Sequence, residues 1–339
     1  MMDTLETPPQ VVMLRMLSGF HVTQLLALVA RLDIANLLSD GPRSAKEQAN
    51  ATSVQPDALY RALRALAHMG VFEELPQQRF SLTPLGATLQ SAHPDTIRAH
   101  ALFLGDEAYR AWVDLPYSVA TGKPAFERVF GASHFAYLAE HPESNETFNQ
   151  AMSVMSREHH TSMVAAYDFS GAESVVDVGG GHGKLLSAIL QANPALHGAL
   201  FDLPHVVVGA GPTLSAAGVA ERCELVSGDF FTMTPPAGDI LTLSHILHDW
   251  DDERCVLILE NCAKALRPQG RLLVIEAVIE PEPGAPQTLF KDMQMLVMTG
   301  GRERTSAEYE RLFSAAGLRL NRVLPTGAAT RIIEAALAD

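Results

Sequence analysis

A glycine cluster stands where a run of β-branched residues gives way to an apolar helix: Val175-Val176-Asp177-Val178-Gly179-Gly180-Gly181-His182-Gly183-Lys184-Leu185-Leu186. The valines read as a strand buried on both faces. The glycines permit positive φ and let a ligand approach bare backbone, and Leu185, Leu186, Ile189 and Leu190 open a helix that packs back on the sheet. Strand, turn and helix together suit a nucleoside-like cofactor. A phosphate-binding Walker loop would need Gly, four residues, Gly-Lys and then Ser or Thr. Here Lys184 is followed by Leu185 and no glycine stands five residues before Gly183. A dinucleotide fingerprint starting at Gly179 would want its third glycine where Lys184 stands, which weakens that reading. S-adenosylmethionine is the remaining candidate.

Three further strand ends carry useful groups. Ala199-Leu200-Phe201-Asp202 ends in an acid about one βα unit later. A carboxylate there can accept both ribose hydroxyl protons, for NAD as well as for S-adenosylmethionine. Leu225-Val226-Ser227-Gly228-Asp229-Phe230-Phe231 places a carboxylate and an aromatic where an adenine could be hydrogen-bonded and covered. Ile240-Leu241-Thr242-Leu243 runs into Ser244-His245-Ile246-Leu247-His248-Asp249-Trp250-Asp251-Asp252-Glu253. These ends converge on the carboxyl edge of a parallel sheet, where open α/β folds bind ligands.

Residues 170 to 325 resemble the S-adenosylmethionine-dependent O-methyltransferases of the caffeic-acid/hydroxyindole type, found in plants and in bacterial secondary metabolism. The resemblance is carried by Asp-Val-Gly-Gly-Gly-His-Gly (177–183), Phe-Asp-Leu-Pro (201–204), Gly-Asp-Phe-Phe (228–231), His-Asp-Trp-Asp-Asp-Glu (248–253) and Gly-Gly-Arg-Glu-Arg-Thr (300–305). The N-terminal half looks like the family's winged-helix and dimerisation region. The fold this implies is α/β: a Rossmann-like doubly wound methyltransferase domain with an N-terminal, mostly helical winged-helix dimerisation domain. The implied reaction moves a methyl group from S-adenosylmethionine to a small aromatic hydroxyl, releasing S-adenosylhomocysteine.

Such a reaction asks the protein to align two substrates and remove a phenolic proton. A phenol has a pKa near 10, so a base poised near neutrality suits it. The resemblance makes His248 that base. It makes Glu276, which ends the apolar run Leu272-Leu273-Val274-Ile275, and Glu303 the supporting acids. Asp249 is a candidate contact to the acceptor. Gly179, Gly181, Asp202, Asp229 and Phe230 are the expected cofactor contacts, with Ser244 where plant members carry a lysine whose charge serine cannot supply. Met152 and Met155 on one helix and Met295 on another offer an adaptable apolar wall for the acceptor. Asp251 and Asp252 read as helix N-terminal carboxylates. The acids bracketing this helix start do not amount to a converging oxygen cage, so no metal is expected.

At 339 residues the chain exceeds what one core usually serves, and two domains are the better prior. The expected organisation is a winged-helix/dimerisation domain over 1–95, a helical linker and substrate-pocket region over 96–168, and the catalytic domain over 169–339. The long apolar segment Val11 to Leu38 has more greasy surface than a small domain needs, which suggests a second copy of the chain as partner. Its most apolar part, Leu25 to Leu38, is interrupted by Arg31 and Asp33, so neither a signal peptide nor a spanning helix, and hence no membrane partner, is expected. Cys223, Cys255 and Cys262 show no metal spacing and no disulfide framework, which fits a reducing cytoplasm.

The helix, turn, helix and hairpin read over 44–86 is the outline of a DNA reader. Yet residues 1–95 carry seven Lys/Arg against nine Asp/Glu, and the whole chain carries −14. That balance is poor for phosphate neutralisation, so a nucleic-acid partner is not expected. The alternatives are the same fold and cofactor diverted to hydroxylation, decarboxylation or pericyclic chemistry, a winged-helix regulator, and, weakest, a nicotinamide oxidoreductase. The acceptor's identity, and O- against N- or S-methylation, stay open at this level.

Overall fold

A computed structural model of the chain describes residues 8–280 and 286–338, with every side chain among them except those of 153–159 and 286. The chain divides into two compact units. One takes residues up to 113 together with 135–154, the other 114–134 together with 155–339. The segment 96–168 is thus shared between the two units.

In the first unit the helices Pro9–Leu17 and Gly19–Arg31 are separated by a turn at Ser18. By length and composition the run Pro9–Arg31 passes for a membrane-crossing helix, which corrects the expectation that no stretch resembles one. Its Val12, Met13, Leu14, Met16, Leu17 and Phe20 are exposed. Further on, β1 (Arg43–Ser44), β2 (Phe72–Leu75) and β3 (Arg79–Leu82) form a small antiparallel sheet in the order β1-β3-β2. The helices Ala45–Thr52 and Pro56–His68 precede its hairpin. The first begins in a capping box, where Ser44 and Glu47 satisfy each other's backbone amides. The second begins at Gln55, with Pro56 at its first position. Their apolar faces meet the sheet in a core that includes Ile34, Leu63, Leu66, Phe72 and Phe80.

The second unit is built on β4 (Ser174–Val178), β5 (His197–Asp202), β6 (Cys223–Ser227), β7 (Gly238–Ser244), β8 (Leu266–Ala277), β9 (Leu318–Pro325) and β10 (Thr330–Leu337). Their order in the sheet is β6-β5-β4-β7-β8-β10-β9, and β10 alone runs against its neighbours. The doubly wound sheet expected from the alternating strands and helices is present. Period-two alternation divides its residues between two cores. Val176, Val178, Leu241, Leu243, Leu272 and Val274 face the helices Asp252–Ala265 and Ser306–Ala315. Val175, Leu200, Ile240, Leu273 and Ile275 face the helix Lys184–Ala192. Burial of both faces is why these strands are apolar throughout. In register, Val178 lies beside Phe201 and Ser244 beside Ile275, so the loops after β4, β5, β7 and β8 leave along one edge.

Candidate active site

The turn after β4 is shaped by glycine. Gly179 has φ +69°, and a Cβ there would lie 2.6 Å from Cδ1 of Ile246 and 3.5 Å from the ring of Phe230. The backbone of the β4 turn, the side chain after β7 and the aromatic after β6 therefore converge on one spot. Asp202 bridges the neighbouring loops: its Oδ2 accepts from the Gly181 amide at 2.8 Å and its Oδ1 from the Leu203 amide at 2.7 Å. Burial raises its carboxyl above the usual range, against the pull of those amides. Asp229 accepts from the Phe231 amide at 2.9 Å, fixing the aromatic loop, and Asn261 donates to the Phe230 carbonyl at 2.9 Å from the next helix. Phe231 meets Trp250 edge to face, with 4.8 Å between centroids. Ser244 is half-buried at the end of β7.

Beneath this turn Asp177 is buried, with Oδ1 accepting from the Thr242 hydroxyl at 2.7 Å and Oδ2 without a hydrogen bond among the described residues. Burial pushes its carboxyl up to about 6.

His248 lies in the short turn Leu247–Asp249 that follows β7, and its side chain is enclosed. Its Nδ1 is 2.9 Å from Oε1 of Glu303. A carboxylate at that distance accepts a hydrogen bond from Nδ1–H, which fixes that tautomer and leaves Nε2 as the basic nitrogen. Asp249 lies on that side, with Oδ2 4.0 Å from Nε2. Burial and Lys291 push the imidazole toward neutrality, but Asp249, Glu303 and Glu276 outweigh them and hold its pKa above the ordinary histidine value. Burial drives the Asp249 carboxyl up to about 6, while the imidazole partly offsets it. Despite its burial, Glu303 stays below the usual range because of its bond to His248.

Glu276 does something other than orient the ring. Its Oε1 accepts from the amides of Ile246, Leu247 and His248 at 3.1, 2.6 and 3.2 Å, and its Oε2 accepts from the Tyr309 hydroxyl at 2.5 Å. The expectation that it stands behind the imidazole is therefore amended: Glu276 shapes the turn, and Glu303 alone of the two hydrogen-bonds the ring. Glu303 is positioned in its turn by Asp292, which accepts from its amide at 2.9 Å.

Two further groups hold the turn. Arg304 is buried and donates to the carbonyls of Leu247 at 2.9 Å and Trp250 at 2.8 Å, and it pairs with Asp252 at 2.8 Å. Gly301 packs so tightly that a Cβ would coincide with the His248 carbonyl and press on the Asp249 backbone. Sequence reasoning quoted both inside a motif without giving either a task. Lys291, whose Nζ is 3.1 Å from Glu303 Oε1, was missed altogether. Its only signal was a lone cation within a Met-rich apolar helix.

The methionines separate. Met295 is half-buried on the helix Pro286–Met298, where its carbonyl accepts from the Thr299 hydroxyl at 3.0 Å. Met152 is half-buried in the first unit, on the helix Pro142–Ala166, and the Met155 side chain lies outside the described residues. Asp251 caps the helix Asp252–Ala265 through the Arg254 amide at 2.8 Å, as its type and place suggested.

His248, Glu276 and Glu303 each offer a ligand atom within 4.8 Å of one another. Three of the four carboxylate oxygens are already engaged, those of Glu276 by three amides and a hydroxyl and Oε1 of Glu303 by an imidazole and an ammonium, whereas Oε2 of Glu303 is buried without a hydrogen bond among the described residues. A cation entering there would have to displace these donors.

The comparisons agree with this geometry. Residues 112–319 match the model of the O-methyltransferase domain, and residues 14–92 that of the O-methyltransferase dimerisation domain. The chain is 45% identical to the phenazine O-methyltransferase PhzM of Lysobacter antibioticus, over 97% of this chain and 96% of that one. It is 31% identical to the phenazine-1-carboxylate N-methyltransferase of Pseudomonas aeruginosa, over 96% and 97% respectively. The crystal structure of NcsB1, an O-methyltransferase from neocarzinostatin biosynthesis in complex with S-adenosylmethionine and 2-hydroxy-5-methyl naphthoic acid, superposes with a TM-score of 0.84 at 33% identity, covering 93% of this chain and 96% of that one. With its glycine turn, acid-tipped strands and His–Glu pair on one sheet edge, and a matching domain on each side of residue 100, the chain belongs to the O-methyltransferase family.

Proposed function

We propose that the chain transfers a methyl group from S-adenosylmethionine to the phenolic hydroxyl of a small aromatic molecule, with His248 as general base. The observation that carries this reading is the 2.9 Å bond from His248 Nδ1 to the enclosed Glu303 carboxylate, which leaves Nε2 to take a proton. A ring nitrogen methylated through its lone pair has no proton to give up, so a buried and oriented base favours a hydroxyl acceptor. A diverted, non-methylating reaction is told apart by product mass.

The residues present fit the cofactor. Gly181, at φ +57°, has nothing within 4 Å of where a Cβ would stand, Phe230 packs beside the neighbouring Gly179, and a carboxylate ends β5. Gly179 and Gly181 would admit the nucleoside against backbone. Asp202 would accept from the ribose hydroxyls, while Asp229 and Phe230 would hold and cover the adenine; Ser244 lines the neighbouring strand end. When bound, S-adenosylmethionine supplies an electrophilic methyl group with an already activated leaving group. His248 removes the acceptor proton at Nε2, Glu303 stabilises the imidazolium that results, and Asp249 orients the acceptor from the same side. Met295, in the same unit as His248, would offer the aromatic an adaptable apolar contact.

The reading is metal-independent, supported by the prior engagement of both Glu276 oxygens and of Glu303 Oε1. The exposed residues of Pro9–Leu17 and Phe20 serve a homodimer, in keeping with the dimerisation-domain match. The winged-helix outline is then scaffold rather than a nucleic-acid reader. Three free cysteines, with burial pushing Cys255 and Cys262 up to about 12, suit a cytoplasmic enzyme.

His248→Ala tests the assignment. Methyl transfer to a phenolic acceptor should fall by roughly 10²–10⁴-fold, while calorimetric affinity for S-adenosylhomocysteine stays within a few-fold. Undiminished turnover would remove His248 from the role.

A further inference from the structure

Lys291 stands in the helix Pro286–Met298, on a different element from the base. Its Nζ is 3.1 Å from Glu303 Oε1, the same oxygen that holds His248 Nδ1, and 3.3 Å from His245 Nδ1. Its side chain is 29% exposed, whereas that of Glu303 is fully enclosed. An ammonium has three donors and no acceptor. Facing Lys291, His245 Nδ1 must accept, which makes His245 the neutral tautomer with its proton on Nε2. The His245 and His248 rings are neighbours, with centroids 5.3 Å apart. His245 is further held by a backbone with φ +55°, a conformation that is uncommon outside glycine, and by the hydrogen bond that its backbone amide donates to the Ile275 carbonyl at 3.1 Å.

We propose that Lys291 is a positioning residue for the base: as a resident cation on the shared Glu303 oxygen it limits how tightly His248 can hold a proton, and it keeps His245 neutral. The groups facing His248 are Asp249 on its own turn, Glu276 from β8, Glu303 from the loop before Thr305, Lys291 from its helix and His245 from the end of β7. Three are carboxylates, and Lys291 is the counterweight to them. Without it, Glu303 would pair with His248 alone, and the imidazolium formed on proton abstraction would be slow to reset. Lys291 lies at the edge of the enclosed cluster, so solvent weakens its effect without cancelling it.

This inference rests on the reading of His248 as the base, and the experiment separates the two. The His248 ring resonance is followed by NMR against pH in the full-length protein without acceptor, for wild type, Lys291→Met and Lys291→Arg, and is identified by its loss in His248→Gln. Removing the ammonium leaves three carboxylates around the ring, so His248 should titrate about 0.5–1 pH unit higher in Lys291→Met. Arg should restore the wild-type value within about 0.3 unit, because charge rather than shape is what counts. The acidic limb of kcat/KM should move upward by the same amount, costing about three- to tenfold below the wild-type limb and little well above it. An unmoved His248 titration in a folded Lys291→Met protein would overturn the proposal, even if its melting temperature fell. A shifted titration beside undiminished turnover in His248→Ala would uphold the effect of Lys291 and sink the base assignment instead.

Discussion

Glu276 grips His248 by its main-chain amide, 3.2 Å away, and leaves the imidazole to Glu303. One oxygen serves three successive amides, in the manner of an anion seated in a backbone nest, and the other is taken by Tyr309. The two acids thus have separable tasks, one conformational and one electrostatic.

That separation predicts opposite mutant signatures. Glu276→Ala would strand three amides and a buried hydroxyl, and urea denaturation should show a loss of about 3 kcal/mol or more. Glu276→Gln keeps an oxygen for the amides and gives Tyr309 a donor in place of its acceptor, so it should stay within about 1 kcal/mol of wild type. Glu303→Gln should fold normally and lose roughly 10²-fold or more in kcat, because a neutral amide neither fixes the Nδ1–H tautomer as firmly nor stabilises the imidazolium. Interchanged phenotypes would refute the assignment of tasks.

A second expectation concerns Gly301. Any side chain there must displace the His248 carbonyl, which is backbone and cannot rotate away. Gly301→Ala should cost about 1–3 kcal/mol as overpacking and lower kcat more than it changes affinity for S-adenosylhomocysteine, whose proposed cradle is elsewhere along the edge. Calorimetry beside steady-state kinetics checks it; equal losses in both would mean that the turn and the glycine loop move as one.

Arg304 gives a third. Its guanidinium ties the carbonyls on either side of His248 and Asp249, at Leu247 and Trp250. Lysine could reach one of these but not both in the planar fork geometry. Arg304→Lys should therefore lose about 1–3 kcal/mol of stability and broaden the His248 resonance as the turn samples other conformations. A sharp, unshifted resonance would show that Glu276 alone suffices to hold it.

What was legible from the chain was whatever its local grammar carries. The glycine turn, Asp202 and Asp229 sit at ends of apolar strands, so their place on the carboxyl edge follows from strand order alone. The apolar excess near the N-terminus is visible as composition, but Arg31 and Asp33 interrupt only its C-terminal part and leave 9–31 long and apolar enough to pass for a span. The task of Glu276 was not legible. An acid after an apolar run announces that it needs a partner, but those partners are backbone amides about thirty residues upstream and carry no side-chain signature. Lys291 was hidden for a similar reason: only the packing of its helix brings it to Glu303.

The last prediction turns on Asp177, the buried acid beneath the glycine turn. Burial raises its carboxyl from 3.8 to about 6, with the Thr242 hydroxyl too weak an offset. The folded protein thus holds this proton more tightly than the unfolded chain does. For such a group the contribution to stability is full below about 3.8, declines as pH rises between 3.8 and 6, and stays low above that. Asp177→Asn can still accept from Thr242 and has no charge to bury. Its melting temperature relative to wild type should climb across this window and level off near neutrality, with an eventual gain of order 1–3 kcal/mol. Melting curves from pH 4 to 8 decide the matter. A constant difference would mean that the charge is compensated in solution, whereas a difference that shrinks with rising pH would mean that the ionised Asp177 stabilises the turn.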